Sequence, residues 1–393
     1  MTLLPVPDAQ ARVLALGTRV ATEEVPLAAA LGRFAAAPVV ARRTQPARDL
    51  SAMDGYALRF ADLPGPWRVV GESAAGRAHD ASVGAGEAVR IFTGAALPPG
   101  TDTVLVQEEA RRDGDTLHLD GEGPAHRGRN VRRRGLDFEA GDTLVAAGER
   151  LTPARLAVAA TGGADRVLVA RAVRVAIAAT GDELREPGAA GPDDLPESNR
   201  LLLRTLLADL PVEIVDLGIL PDRLDDLTRA FASVEADVLV TTGGASVGDH
   251  DLVRPALEAA GVALDFWRIA LRPGKPMLAG RRTDGLAVVG LPGNPVSAFV
   301  TALLFVRPLV AHLAHAADPF PAGATALLGE DLPANGPRAD YLRAALVDGR
   351  VHVAAIQDSS MLMTLARSTC LVVRAPHAPA ARAGDSAEIL VIA

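Results

Sequence analysis

Two adjacent carboxylates, Asp182 and Glu183 in TGDEL, directly follow the apolar run RVAIAAT, and a second acidic pair, Asp249 and Asp251, closes TTGGASVGDHD. Carboxylates at the ends of strand-like runs can bind a hard cation or position a water. Taken alone, TGDEL also reads as an acidic helix start or a solvated turn. In WRIALRPGKP, Arg268 and Arg272 are four residues apart and Lys275 follows a Pro-Gly turn. On one extended strand both guanidinium groups would share a face and could meet one anion, the alternative being a solvated strand edge. A phosphate beside Asp249 and Asp251 would be repelled unless a divalent cation intervened. That points to Mg²⁺ held by Asp182, Glu183, Asp249 and Asp251 together with substrate oxygens.

Such groups need elements to hold them. The two glycine-rich segments, TTGGASVGDHD and GLPGNP, each follow an apolar β-branched run and lead into a helix-like one. Asn294 is the expected N-cap of the second helix, with Pro295 in its first turn. Unpaired backbone N–H groups at such starts suit phosphate, although each segment alone is also an ordinary strand-to-helix turn. Two rival motifs overlap the first segment. GASVG matches GxSxG with Ser246 at a strand-to-helix turn, which would make a serine hydrolase, yet no later histidine carries a triad signature. A nucleotide P-loop fails because Asp249 stands where lysine is required.

From Arg174 onwards, strand-like and helix-like runs alternate: RVAIAAT, a helix from Asn199, VEIVDLG, a helix from Asp222, DVLVTT, a helix from Asp251, LDFWRIAL, LAVVGL and a long helix from Pro295. This predicts a mostly parallel sheet covered by helices, a three-layer α/β domain with ligands at the carboxyl ends of its strands. Before it, short alternating runs (GEAVRIFTG, TVLVQEE, TLHLD) predict β-rich modules, flanked by helices over 8–21 and from Thr152-Pro153 to Gly162-Gly163. After it, YLRAALVDGRVHVAAI predicts a hairpin turning at Asp348-Gly349. The expected domains are a discontinuous helical and mixed domain over 1–48 plus 137–172, a β-rich insertion over 49–136, the α/β domain over 173–317 and a small barrel-like β domain over 318–393.

Composition narrows the function. The chain has 393 residues, a net charge of −8 and only 3% aromatics, which argues against nucleic acid as a partner. The arginines of NVRRRGLDFEAGD (Arg132, Arg133, Arg134) read as a local anion site, a subunit contact or a solvated turn. A single cysteine, Cys370, lies in the apolar run CLVV and predicts a buried strand thiol in a reducing, cytoplasmic compartment. The longest apolar stretch, VSAFVTALLFV, stops at Arg307, so no membrane span or export signal is expected.

The order SAMDGYALR, RIFTGAALP, NVRRRGLDFEAGD, TGDEL, TTGGASVGDHD and LPGNPVSA closely resembles the molybdopterin molybdotransferase (MoeA-type) family, related to the C-terminal domain of gephyrin. The resemblance runs from about residue 5 to the C-terminus. It implies a transferase of molybdenum cofactor biosynthesis that releases AMP from adenylylated molybdopterin with a divalent cation, expected to be Mg²⁺, and inserts molybdate at the dithiolene. It also implies an elongated homodimer of four domains whose site is shared between subunits, and contact with the molybdopterin adenylyltransferase. Carried over by position, the acidic and hydroxyl site residues are Asp54, Thr93, Asp137, Glu183, Asp222 and Asp251, with Asp182 expected beside them. The basic pair falls on Arg268 and Arg272, where lysine is common in the family, and Ser359 falls in a segment that follows the family pattern only loosely. The substrate is expected to use Gly243, Gly244, Ser246 and Gly248 of the first loop. Pro292, Asn294 and Pro295 of the second loop, Asn199 and Lys275 complete that expectation. The non-enzyme alternative is a molybdopterin-binding scaffold without turnover, against which the retained acidic motifs argue.

Overall fold

The computed structural model describes residues 3–244 and 252–392. Its organising layer is a six-stranded sheet in the order Val212–Leu220, Val173–Thr180, Val238–Thr242, Ala287–Leu291, Pro276–Arg282, Val262–Arg268. The first four strands run parallel, Pro276–Arg282 runs antiparallel to them, and Val262–Arg268, paired antiparallel to Pro276–Arg282, returns to their direction. Strand Val173–Thr180 is almost wholly buried, which its unbroken apolar run requires when helices cover both faces. The sheet is thus mostly parallel, as expected, but Pro276–Arg282 is an additional strand. Its interrupted pattern PMLAGRR has no clean alternation to announce it.

LDFWRIAL is not one strand. The chain leaves the α/β sheet at Arg268, and Leu271–Arg272 pairs instead in parallel with Ala339–Val347 of the C-terminal sheet, Arg272 opposite Asp340. Beyond it, Gly323–Leu328, Ala339–Val347, Arg350–Val353, Cys370–Arg374 and Ser386–Val391 pair around a closed circuit, because Ala339–Val347 bonds both Arg350–Val353 and Cys370–Arg374. The closure makes a small barrel. The expected hairpin turns at Asp348 (φ 49°) and Gly349 (φ 76°), the paired left-handed conformation of a two-residue turn. Cys370 is buried on its strand, and burial pushes its thiol pKa up.

The N-terminal half contains a further six-stranded sheet between Gly55 and Leu119, from which Gly55–Leu58 and Glu87–Ile91 carry Asp54 and Thr93 at their ends. Thr22–Pro26 pairs with Arg166–Ala170 and Val39–Val40 with Thr143–Val145, so chain on either side of that sheet comes together. The predicted 8–21 helix spans Val6–Leu16 instead, and Val6, Ala9 and Val13 bury against the α/β layer's core.

The last helix of that layer, Pro295–Leu313, is long and apolar enough to cross a membrane by length and composition, yet 83% of its apolar window is buried inside the protein. The long helix expected from Pro295 continues past Arg307, the residue that ends the apolar stretch, and the guanidinium pairs with Asp209 and the Leu206 carbonyl. A π-turn at Ala302–Val306 precedes Pro308, which has no N–H to offer the Leu304 carbonyl four residues back. Gln10 supplies the missing donor at 3.0 Å, pinning the N-terminal helix to the core helix.

Candidate active site

Parallel pairing brings the ends of three strands level: Ala179 lies opposite Thr242, and Thr242 opposite Leu291. The chain then turns through Gly181, Gly243 and Pro292-Gly293 at one edge, where ligands of open α/β sheets gather. Gly243 (φ +89°) is required there, since a Cβ would stand 2.4 Å from the Thr180 carbonyl oxygen. Gly244 also has positive φ, and a Cβ on Gly293 would lie 3.6 Å from the Gly243 Cα. The two glycine loops therefore touch, and they floor a cleft of about 1140 Å³.

The cleft has acidic residues in its lining. Glu183 and Asp222 line it, and the Asp222 backbone N–H donates to the Asp182 carboxylate at 3.1 Å. Burial, and then the charges of Asp182 and Glu183, push the Asp222 pKa up. Among the described residues no three His, Cys, Asp or Glu side chains converge as a ready cation cage. Ser246, Gly248, Asp249 and Asp251 lie outside the described residues.

Arg272, Lys275 and Arg338 line the same cleft. Arg268 is not among the described lining residues, and it ends one strand while Arg272 lies on another, so the two do not share one extended strand as expected. The guanidinium of Arg272 is joined to Asp340 in an ion pair. Lys275 and Arg338 have no carboxylate within ion-pair distance among the described residues, which leaves them as the cleft's available cations.

Pro292, Asn294 and Pro295 reach the cleft where the Pro295–Leu313 helix begins. Asn294 sits at the N-cap position, but its side chain makes no capping bond; Nδ2 donates to the Ser359 hydroxyl at 2.9 Å. The Val296 N–H donates to the Ser359 carbonyl at 3.1 Å. Ser359 of the barrel domain thus serves an orphan donor at the head of a helix from another domain. Asn199, 8% exposed, donates from Nδ2 to the Gly293 carbonyl at 2.8 Å and leaves a buried Oδ1 without a partner among the described residues.

Asp54, Thr93 and Asp137 are not among the residues lining this cleft. The Asp54 carboxylate accepts from the Thr93 N–H at 2.7 Å and its hydroxyl at 2.8 Å. These bonds, with a smaller contribution from Arg90, hold its pKa below the ordinary value. The Arg90 guanidinium lies over the rings of both Tyr56 and Phe92. Asp137 is exposed. Of the neighbouring arginines, Arg133 pairs with Asp49, while Arg134 reaches Thr44 and Glu139, so these two brace a turn before they serve any anion.

Sequence reasoning missed Arg338, Gln357 and Ser360, which line the cleft from the barrel. Nothing in NGPRADY marks Arg338; it reaches the site only because the next residues pair with Leu271–Arg272.

Three family descriptions cover almost the whole chain: MoeA N-terminal region (domain I and II) over residues 4–163, probable molybdopterin binding domain over 176–312, and MoeA C-terminal region (domain IV) over 325–392. The chain is 35% identical over 379 residues to a molybdopterin molybdenumtransferase of Haemophilus influenzae, covering 94% of this chain and 93% of that protein. It is 35% identical to the protein of the same name from Nostoc sp., over 90% of this chain and 84% of that one. Among solved structures, the molybdopterin biosynthesis MoeA protein of Pyrococcus horikoshii OT3 matches with a TM-score of 0.86 at 26% identity, covering 100% of both chains. By sequence along its length and by fold, this chain belongs to the molybdopterin molybdenumtransferase (MoeA) family.

Proposed function

We propose that this chain is a cytoplasmic transferase of molybdenum cofactor biosynthesis that releases AMP from adenylylated molybdopterin and inserts molybdate into the dithiolene. The observation that carries the reading is one cleft lined together by the carboxylates of Glu183 and Asp222, the cations of Lys275 and Arg338, and two neighbouring glycine loops. Its volume suits a pyrophosphate-linked ligand larger than a single small metabolite.

The residues divide the work. Gly243 and Gly244 let the phosphates approach the backbone, and Asn199 fixes the Gly293 turn beneath them. Lys275 and Arg338 attract the oxyanion. Asp182 and Glu183 bring two carboxylates together beside Asp222, and their charges add to the burial that raises its pKa. This donor set fits Mg²⁺, which typically takes one or two carboxylates and completes its shell with substrate oxygens and water. When bound, Mg²⁺ would neutralise charge on the pyrophosphate. Asp249 and Asp251 are proposed to complete the set.

Asp54, Thr93 and Asp137 are proposed to reach the cleft of a second copy in a homodimer, and the domain division into 1–48 with 137–172, 49–136, 173–317 and 318–393 is proposed to set that geometry. Contact with a molybdopterin adenylyltransferase would deliver the substrate. Incubation with adenylylated molybdopterin, Mg²⁺ and molybdate, scoring AMP release and cofactor formation together, tests the reading; absence of both products from the folded protein refutes it.

A further inference from the structure

The barrel strand Ala339–Val347 buries a guanidinium that the cleft does not contact. Arg343 is 1% exposed. Its Nη1 donates to the Met361 carbonyl at 3.2 Å, and its Nη2 is buried with no hydrogen-bond partner among the described residues. Burial pushes the guanidinium pKa down, and Asp358 opposes that shift. A buried cation with a donor left over is unfavourable for folding, and an apolar side chain of similar length would fill the space without that cost.

What surrounds Arg343 gives the charge a purpose. Gln357 trades an amide pair with its backbone: Oε1 accepts the Arg343 N–H at 3.1 Å, and Nε2 donates to the Arg343 carbonyl at 3.0 Å. That side chain continues the strand edge where the partner strand Arg350–Val353 stops. Asp358 accepts from the Ser360 N–H at 2.8 Å and its hydroxyl at 2.6 Å, tightening the turn. Between them stands Ser359, bonded to Asn294 and Val296 at the helix start. The 357–361 turn is therefore anchored inside the barrel by Arg343 and Gln357, while its outer side grips the α/β domain and walls the cleft with Gln357, Ser359 and Ser360.

We propose that Arg343 is a positioning residue for the transfer reaction: it holds the 357–361 turn so that Ser359 stays docked on the Pro295–Leu313 helix and the barrel closes one side of the cleft around the oxyanion. The proposal rests on the functional reading above, and Arg343 touches neither substrate nor reacting atoms.

The test compares Arg343→Met, Arg343→Lys and Asp358→Asn with the parent chain, full length throughout. Two readouts are taken: amide hydrogen exchange at Val296, Leu342 and Leu371, and steady-state kinetics with molybdate varied. For Arg343→Met the Val296 amide is expected to exchange at least tenfold faster while Leu342 and Leu371 keep their protection. KM for molybdate is expected to rise at least fivefold, with kcat within twofold. Arg343→Lys restores part of both effects, and Asp358→Asn, altered on an exposed side chain, shows the same pattern at smaller size and keeps the test open if the buried site tolerates no change. Unchanged Val296 exchange, equal acceleration of all three amides, or an unchanged KM overturns the proposal. The exchange readout needs no turnover, so failure of the parent chain to make product counts against the functional reading and leaves the latch separately measurable.

Discussion

The carboxylate of Asp54 accepts both donors of Thr93, the backbone N–H at 2.7 Å and the hydroxyl at 2.8 Å, so that two motifs 39 residues apart form one unit. The backbone bond is the larger cause of the lowered Asp54 pKa, and the hydroxyl is the second. A carboxylate held this way stays ionised as pH falls below the ordinary carboxyl range. Thr93→Val removes only the hydroxyl, so the Asp54 pKa is expected to rise part of the way back to its usual value. Carbon NMR of the Asp54 carboxyl reads the shift directly, and an unchanged titration contradicts the geometry. Asp54→Ala is expected to lower product formation by on the order of 10²-fold if the carboxylate takes part in proton transfer.

Asp222 shifts the opposite way, because burial and the neighbouring Asp182 and Glu183 charges all favour its protonated form. With the folded pKa above the unfolded one, both states are protonated at low pH and the group is neutral towards stability. Between the unfolded and folded pKa the unfolded chain ionises first, and above the folded pKa the native state carries the full penalty. Asp222→Asn should therefore raise Tm at pH 7 and leave it unchanged at pH 3, read by thermal unfolding at both values. The same variant is expected to slow AMP release. Glu183→Gln, which removes one repelling charge, should move the acid limb of the pH–rate profile to lower pH.

Much of this site was legible because local chemistry and topology agreed. The run RVAIAAT can only be a strand buried on both faces, and its end delivers Glu183 to the cleft. Asp348-Gly349 specified its turn through left-handed backbone alone. The failures came where a partner distant in sequence decides. Arg272 reads as a companion of Arg268 until pairing with Ala339–Val347 draws it into a second sheet. Asn294 reads as a cap, but Ser359, 65 residues later, takes its side chain. Arg338 carries no local signal at all, since its place depends on how the barrel docks.

Gly243 tests how tightly the glycine loops are built. An alanine there would bear the strain of φ +89° and place its Cβ 2.4 Å from the Thr180 carbonyl oxygen, a backbone atom that cannot rotate away. Gly218 has a similar φ of +75° with nothing within 4 Å of the place a methyl group would take, so it isolates the backbone cost. Gly218→Ala is expected to lose about 1 kcal/mol by urea denaturation, and Gly243→Ala about 3 kcal/mol. Equal losses would show that the close approach of the two strand ends is relaxed at no cost. Gly243→Ala should in addition weaken substrate binding, because the shifted turn no longer floors the cleft.

Arg272 and Asp340 join the α/β domain to the barrel through one ion pair, and the two ends differ in exposure: the arginine side chain is 56% exposed and the aspartate 5%. Removing the arginine strands a buried carboxylate, whereas removing the aspartate frees a guanidinium that water can solvate. Arg272→Ala is thus expected to cost about 1–3 kcal/mol, the lower part of that range reflecting solvent screening of the exposed partner, and Asp340→Asn less. The double variant should recover part of the loss, giving a coupling energy that a sum of independent effects would lack. Arg272→Lys keeps a charge beside Asp340 but not the planar fork, so it should fall between the parent and Arg272→Ala in stability. If Arg272 served chiefly as an anion ligand, the order would invert: stability would be indifferent to Arg272→Ala and KM for molybdate would carry the whole effect. Denaturation and kinetics on the same four variants decide between a domain strut and a substrate contact.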